Sequence, residues 1–176
     1  CAVKTQTGLV LALKYHLSDN ERLTEQMLRK LLRDNKNKLN TGFVGTPLLC
    51  NVLTEHGMTD LAYRLLLNEE YPGWLHEVKL GATTVWERWN SLDENGRISS
   101  TGMNSLNHYS YGAVLEWIFR HVAGIDVTEQ GPGGKMMRIS PKVDHKLGSA
   151  SAVYDSASGC YRCGWQIENG DQITVT

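Results

Sequence analysis

Two tryptophans bracket a glutamate and an arginine at Trp86-Glu87-Arg88-Trp89, directly behind Gly81-Ala-Thr-Thr84. Rings on either side of a carboxylate limit its hydration and raise its pKa, while an adjacent guanidinium opposes that shift. A carboxylate kept ionised near neutral pH can take a proton from water, which makes Glu87 the candidate general base. His108 is a candidate donor to a substrate hydroxyl, or a second proton carrier. Trp74, Trp86 and Trp89, with Phe43, Tyr109 and Tyr111, offer flat faces to the C–H faces of sugar rings. Apolar walls with a few placed polar groups are what a carbohydrate pocket needs. Plainer roles compete: a helix surface whose rings pack inward beneath a solvated Glu–Arg pair, and for His108 a satisfied structural histidine.

Other chemistries find less support. Cys160 and Cys163 form a C-x-x-C, but a zinc site wants a second pair or nearby histidines, and His145 stands alone in that neighbourhood. GCYRCGWQIENG reads as a strand running into a turn rather than the helix start a redox motif uses. There is no metal-ligand spacing, phosphate loop or G-x-S-x-G elbow, so neither a metal nor a cofactor is called for. The 176 residues are 41% hydrophobic and 21% charged with a formal net charge of −1. That balance disfavours nucleic acid and anionic membrane as partners, and no apolar run approaches the ~20 residues of a membrane span.

The elements that must position these residues divide by period. Apolar side chains recur at helical spacing over 5–17 at Leu9, Leu13 and Leu17, with Val10 beside them, and Ser18-Asp-Asn-Glu21 has capping-box spacing for a second helix striped by Leu23, Met27, Leu28, Leu31 and Leu32. Thr46-Pro47 reads as N-cap and first helical residue of a third helix that stops at Gly57. Thr59 caps a fourth, which ends before Tyr71-Pro72-Gly73. WLHEVKL forms a short amphipathic segment, and a last helix runs from about 109 to 122. After GPGGK the period becomes that of strands: KMMRIS, ASAVYDS, CYRCGWQI and QITVT, with Asn169-Gly170 as a two-residue turn. Successive helical hairpins suggest an α-solenoid or part of a helical toroid over 1–127, and the strands an incomplete antiparallel β-sandwich over 128–176. In such a toroid the loops 41–46, 81–84 and 101–108 share one rim.

TGFVGTPLL, TDLAYRLLLNEEYPGWL, GATTVWERWNS and GMNSLNHYSYGAVLEWIFRHVAGI, taken in series, resemble the later half of the catalytic domain of bacterial α-L-rhamnosidases, glycoside hydrolase family 78. The resemblance runs from about Thr5 to Ile125 and more loosely into the strands. It implies an (α/α)6 barrel followed by a β-sandwich, and inverting hydrolysis of terminal α-L-rhamnosides by two carboxyl groups. It also implies Glu87 as the base that activates water, His108 as a residue contacting rhamnose, and Trp86, Trp89 and Trp74 as pocket walls. The implied partner is a rhamnose-containing glycoside or polysaccharide, with compartment open between periplasm and cytoplasm. Asn90 departs from the Asp common in relatives. The family's acid lies in an upstream motif with no counterpart here, so the chain is expected to be a fragment, inactive alone. Surface that a whole barrel buries is then a candidate for homo-oligomer formation. A non-catalytic carbohydrate-binding protein and a polysaccharide lyase, with a Tyr or His base, are the alternatives.

Overall fold

The computed structural model describes residues 3–93, 95–99, 102–168 and 172–176, and the chain divides into two compact units, Cys1–Val114 and Leu115–Thr176. Cys1 and the Asn169-Gly170 turn lie outside the described residues.

The first unit is built from helical hairpins. α1 (Gln6–Lys14) starts at Thr5, whose hydroxyl accepts the Gly8 N–H at 3.1 Å. It is shorter than the periodic stretch: His16 adopts φ 52° and Leu17 is exposed. α2 (Glu21–Asp34) is capped by Asn20, whose Oδ1 accepts the Leu23 N–H at 3.0 Å. Ser18 sits outside the helix and accepts the Asn20 N–H instead. The buried row of α2 is Thr24, Leu28 and Leu32, whereas Leu23 and Met27 face solvent. Residues four apart stack on one helix face, and here that face includes a threonine whose hydroxyl bonds back to the Asn20 carbonyl.

α1 packs against both α2 and α3 (Thr46–Glu55), and α3 packs against α4 (Thr59–Leu66). Each expected threonine cap is displaced by one residue. Gly45 and Met58 hold the cap positions, and the Thr46 hydroxyl pairs with that of Thr41 at 2.8 Å. Gly57, at φ +69°, ends α3 as its type suggests. Leu13, Leu28, Leu32, Leu49, Val52 and Leu53 are fully enclosed between these helices. After α4, the Asn68 amide donates to the Glu70 and Pro72 carbonyls at 2.6 and 3.1 Å. Those bonds shape the expected turn that delivers Trp74 to the start of α5 (Trp74–Lys79).

Helical backbone resumes over Ser110–Ala113 as a 3-10 turn, continues as α6 (Val114–Trp117) and widens into a π-helical turn over Ile118–Val122. The Ala123 N–H reaches back five residues to Ile118 O at 2.8 Å. Thus the expected last helix exists, but in three windings.

The second unit holds two antiparallel sheets. β1 (Ile125–Val127) pairs with β2 (Met137–Ile139), placing Ile125 opposite Ile139. β3 (Ser149–Ser156), β4 (Gly159–Glu168) and β5 (Gln172–Val175) form a meander with Trp165 opposite both Ala150 and Val175. All four expected strands are present. β1 was not foreseen, because three residues are too few to display a period of two. Cys160 is exposed and Cys163 buried, both as free thiols on β4, as residues an odd number apart on a strand must face opposite ways. The Trp165 indole N–H donates to the Val122 carbonyl at 2.7 Å. Asp126 takes Arg120 Nε at 2.8 Å and is also paired with Arg138. Burial pulls its carboxyl up, but the two guanidinium groups outweigh that and hold it below the usual range.

Gly124 and Gly148 share the left-handed conformation, with φ of +82° and +80°. They differ in surroundings: a Cβ on Gly124 would lie 2.3 Å from the Pro141 nitrogen, whereas one on Gly148 meets nothing within 4 Å. Gly148→Ala is expected to cost about 1–2 kcal/mol of backbone strain. Gly124→Ala adds a clash with main chain, roughly 1–3 kcal/mol more. Paired denaturant titrations check this, and equal losses would contradict the close approach of Pro141.

Candidate functional site

The site residues all belong to the first unit. From Gly81 to Trp89 the backbone is not helical, so the helix-surface alternative fails on conformation even though the rings do turn inward. The stretch runs alongside residues 105–108. Glu87 N–H donates to Ser105 O at 2.9 Å, His108 N–H donates to Val85 O at 2.8 Å, and the Thr84 hydroxyl donates to Leu106 O. Two segments far apart in sequence are thereby laced into one short ribbon.

Glu87 is half-buried. Its Oε2 accepts the Ser105 N–H at 2.7 Å, a charge-assisted bond that fixes the carboxylate plane. Its Oε1 has no partner among the described residues, which leaves one lone-pair face to receive a proton. Arg88 forms no ion pair with it among the described residues. The Arg88 main-chain N–H instead donates to Ser91 Oγ at 3.1 Å, and that hydroxyl donates to Asn104 Oδ1 at 2.6 Å. The Asn104 amide returns to Ser91 O at 3.0 Å, so a closed polar knot anchors the ribbon just past Trp89.

His108 stacks with two rings, Phe43 at 5.0 Å and 11° and Tyr109 at 5.0 Å and 16°. The Ser110 N–H points at His108 Nδ1 across 3.3 Å. A backbone N–H can only donate, so Nδ1 is the acceptor and the neutral ring carries its proton on Nε2. The stacked imidazole thus carries a donor on its edge.

Behind these groups stands an aromatic stack. Tyr111 lies flat on Trp89 at 4.0 Å and 4°, Trp89 meets Trp74 edge-on at 5.4 Å, and Phe43 leans on Tyr111 at 5.7 Å. Trp89 Nε1 donates to Thr41 O and Trp74 Nε1 to Tyr111 O, each at 3.0 Å. The loop at 41–46, the ribbon and the residues after 108 therefore converge, as sharing one rim requires. Trp74 and Trp89 are each 8% exposed and Trp86 is 2% exposed; the Trp86 ring joins none of these stacks. Tyr109 is 85% exposed.

One residue escaped the sequence reading. Glu77 is 3% exposed, whereas its neighbour Val78 is largely in solvent, the reverse of their hydropathy. Its Oε2 accepts the Trp86 N–H at 3.4 Å, and its buried Oε1 has no partner among the described residues. Burial pushes its carboxyl up from 4.5 to about 7, against a small opposing pull from the Trp86 N–H. The available signal was its place one helical turn after Trp74, on the inward row of α5.

The chain matches two family models: the bacterial alpha-L-rhamnosidase 6 hairpin glycosidase domain over residues 1–122, and the bacterial alpha-L-rhamnosidase C-terminal domain over residues 124–176. It is 42% identical to an alpha-L-rhamnosidase of Formosa agariphila over 94% of this chain and 18% of that protein. It is 38% identical to one of Streptomyces avermitilis, over 94% and 16%. Among solved structures, the Streptomyces avermitilis alpha-L-rhamnosidase complexed with L-rhamnose superposes with a TM-score of 0.89 at 37% identity, over 95% of this chain and 16% of that one. The native Aspergillus terreus enzyme superposes with a TM-score of 0.92 at 32% identity, over 98% and 20%. The chain thus spans a fifth or less of the length of these relatives.

The raised Glu77 pKa carries a stability consequence of definite sign. Between 4.5 and about 7 the folded chain holds a proton that the unfolded chain has released. Folding stability therefore falls as pH rises through that window, by up to about 3 kcal/mol, and stays lowered above it. Glu77→Gln removes the ionisation. Thermal unfolding should place the variant near the parent at pH 5 and several degrees above it at pH 8; an unchanged gap between the two pH values would contradict the buried acid.

Proposed function

Since this chain belongs to the bacterial alpha-L-rhamnosidase family, we propose that it supplies the general-base side of an inverting glycoside hydrolase that removes terminal α-L-rhamnose from glycosides or polysaccharides. The observation that carries the reading is the ribbon: one Ser105 amide holds the Glu87 carboxylate, and three residues further along the same segment His108 offers an Nε2–H.

In this reading a water molecule donates a proton to the free Glu87 Oε1 as its oxygen attacks the anomeric carbon. The Ser105 N–H keeps the other oxygen from rotating away. His108 donates through its edge to a rhamnose hydroxyl, and Trp74, Trp86 and Trp89 form the wall that limits water behind the pair. Inversion also needs a carboxylic acid across the sugar to protonate the leaving oxygen. Glu77 does not suit that role: at 3% exposure it cannot reach a leaving group. The acid is therefore proposed to come from sequence beyond these residues, and the chain alone to be inactive. The rhamnosidase relatives give the polysaccharide-lyase alternative no support, while a non-hydrolytic sugar-binding role remains an outcome of the test.

The test compares the complete hydrolase carrying this chain with its Glu87→Gln variant on an aryl α-L-rhamnoside. Loss of the base is expected to lower kcat by about 10²–10⁴-fold, with rhamnose still bound. Near-parental turnover would remove Glu87 from the role, and a parent that binds rhamnose without hydrolysing rhamnosides would favour the binding role. His108→Ala should weaken rhamnose binding by roughly tenfold, the worth of one hydrogen bond to a desolvated hydroxyl, in a calorimetric titration. Unaltered affinity would return His108 to a structural part.

A further inference from the structure

Glu77 touches the turn that precedes Glu87 at both of its ends. The Glu77 main-chain carbonyl accepts the Leu80 N–H at 3.1 Å and the Ala82 N–H at 3.0 Å, closing the entry. Its side chain accepts the Trp86 N–H at 3.4 Å, closing the exit. Trp86 is the residue directly before the candidate base, and its own ring is fully packed. A shift of the Trp86 amide therefore cannot be absorbed by its side chain and passes along the backbone to Glu87.

We propose that Glu77 is a positioning residue for Glu87, setting through the Trp86 amide where the base-bearing segment lies relative to the segment 105–108. The proposal rests on the reading of Glu87 as base. Packing alone does not account for a carboxyl at this place. A hydrophobe of similar volume would fill the space without an orphaned buried oxygen, which proteins otherwise avoid. The side chain is retained at a cost, and what it offers that a leucine cannot is an acceptor for Trp86.

The groups around Glu77 leave its charge uncompensated. The Tyr111 phenol faces it, and the negative field of Glu77, after burial, helps to push that phenol up. Lys79 on the same helix is paired with Glu69, and no described cation pairs with Glu77. Its protonation therefore follows burial, and the neutral acid gives way to the carboxylate near pH 7. The charged form accepts more strongly from Trp86, so the placement of the base is itself sensitive to pH in that range.

The experiment measures kcat and KM across pH for the complete hydrolase with Glu77→Leu, Glu77→Gln and Glu87→Gln beside the parent. Glu77→Leu is expected to lower kcat by about 10–100-fold, the effect of small misplacement of a reacting group, with KM changed by less than about threefold. Glu77→Gln keeps an acceptor oxygen. It is expected to restore kcat to within about threefold at pH 6, while losing an inflection near pH 7 that the parent shows. Equal losses in the Leu and Gln variants, or a change confined to thermal stability, would overturn the positioning role. Should Glu77→Leu not fold, the pH profile of Glu77→Gln decides: an inflection identical to the parent's overturns the proposal. Full activity in Glu87→Gln overturns the base reading and this proposal with it, whereas an inactive Glu87→Gln beside a normal Glu77→Leu overturns the positioning role alone.

Discussion

A buried indole has a single N–H, and that donor must find an acceptor inside the protein or forfeit the hydrogen bond it had with water. Trp89 meets the requirement at Thr41, Trp74 at Tyr111 and Trp165 at Val122, each through a main-chain carbonyl far away in sequence. The first two bonds determine where the loops go. Trp89 draws the loop before α3 to the ribbon that carries Glu87, and Trp74 draws α5 to the residues after His108. The flat stack of Trp89 on Tyr111 then closes a ring of contacts in which no loop can move alone. The polar residues of the site are few and mostly half-exposed; the apolar anchors bring their segments together, and hydrogen bonds between those segments then fix them.

How much of this was legible depends on range. Helices α1 to α4 and strands β2 to β5 declare themselves through local period, because burial of one face leaves a mark every few residues. Their ends are less legible. Thr46 and Thr59 look like caps, yet each helix begins one residue earlier, since the Thr46 hydroxyl has a better partner in Thr41. The buried row of α2 is narrower than its apolar residues suggest: Leu23 and Met27 face solvent, and Thr24 takes a place inside. Hydropathy says what a residue prefers; which row of a helix is buried is decided by the neighbour it meets.

Glu87 and His108 could be singled out by type and by resemblance, but nothing local indicates that an amide at Ser105 would grip one of them or that the distant Phe43 would stack on the other. Those are contacts across the fold. Glu77 marks the opposite limit. A carboxylate in a short amphipathic segment reads as surface; its place one turn after Trp74 is the sole local sign of the inward row, and the Trp86 amide that meets it there lies nine residues on. Buried acids are rare enough that the ordinary expectation was reasonable, and their rarity is why one without a counter-ion invites a functional explanation.

The stacking of the His108 imidazole with Phe43 and Tyr109 has an implication for energetics rather than geometry. Turning the ring about its Cβ–Cγ bond would part both contacts. Its rotational freedom is thereby reduced when the chain folds, and a partner that accepted from its edge would have less of that entropy to supply.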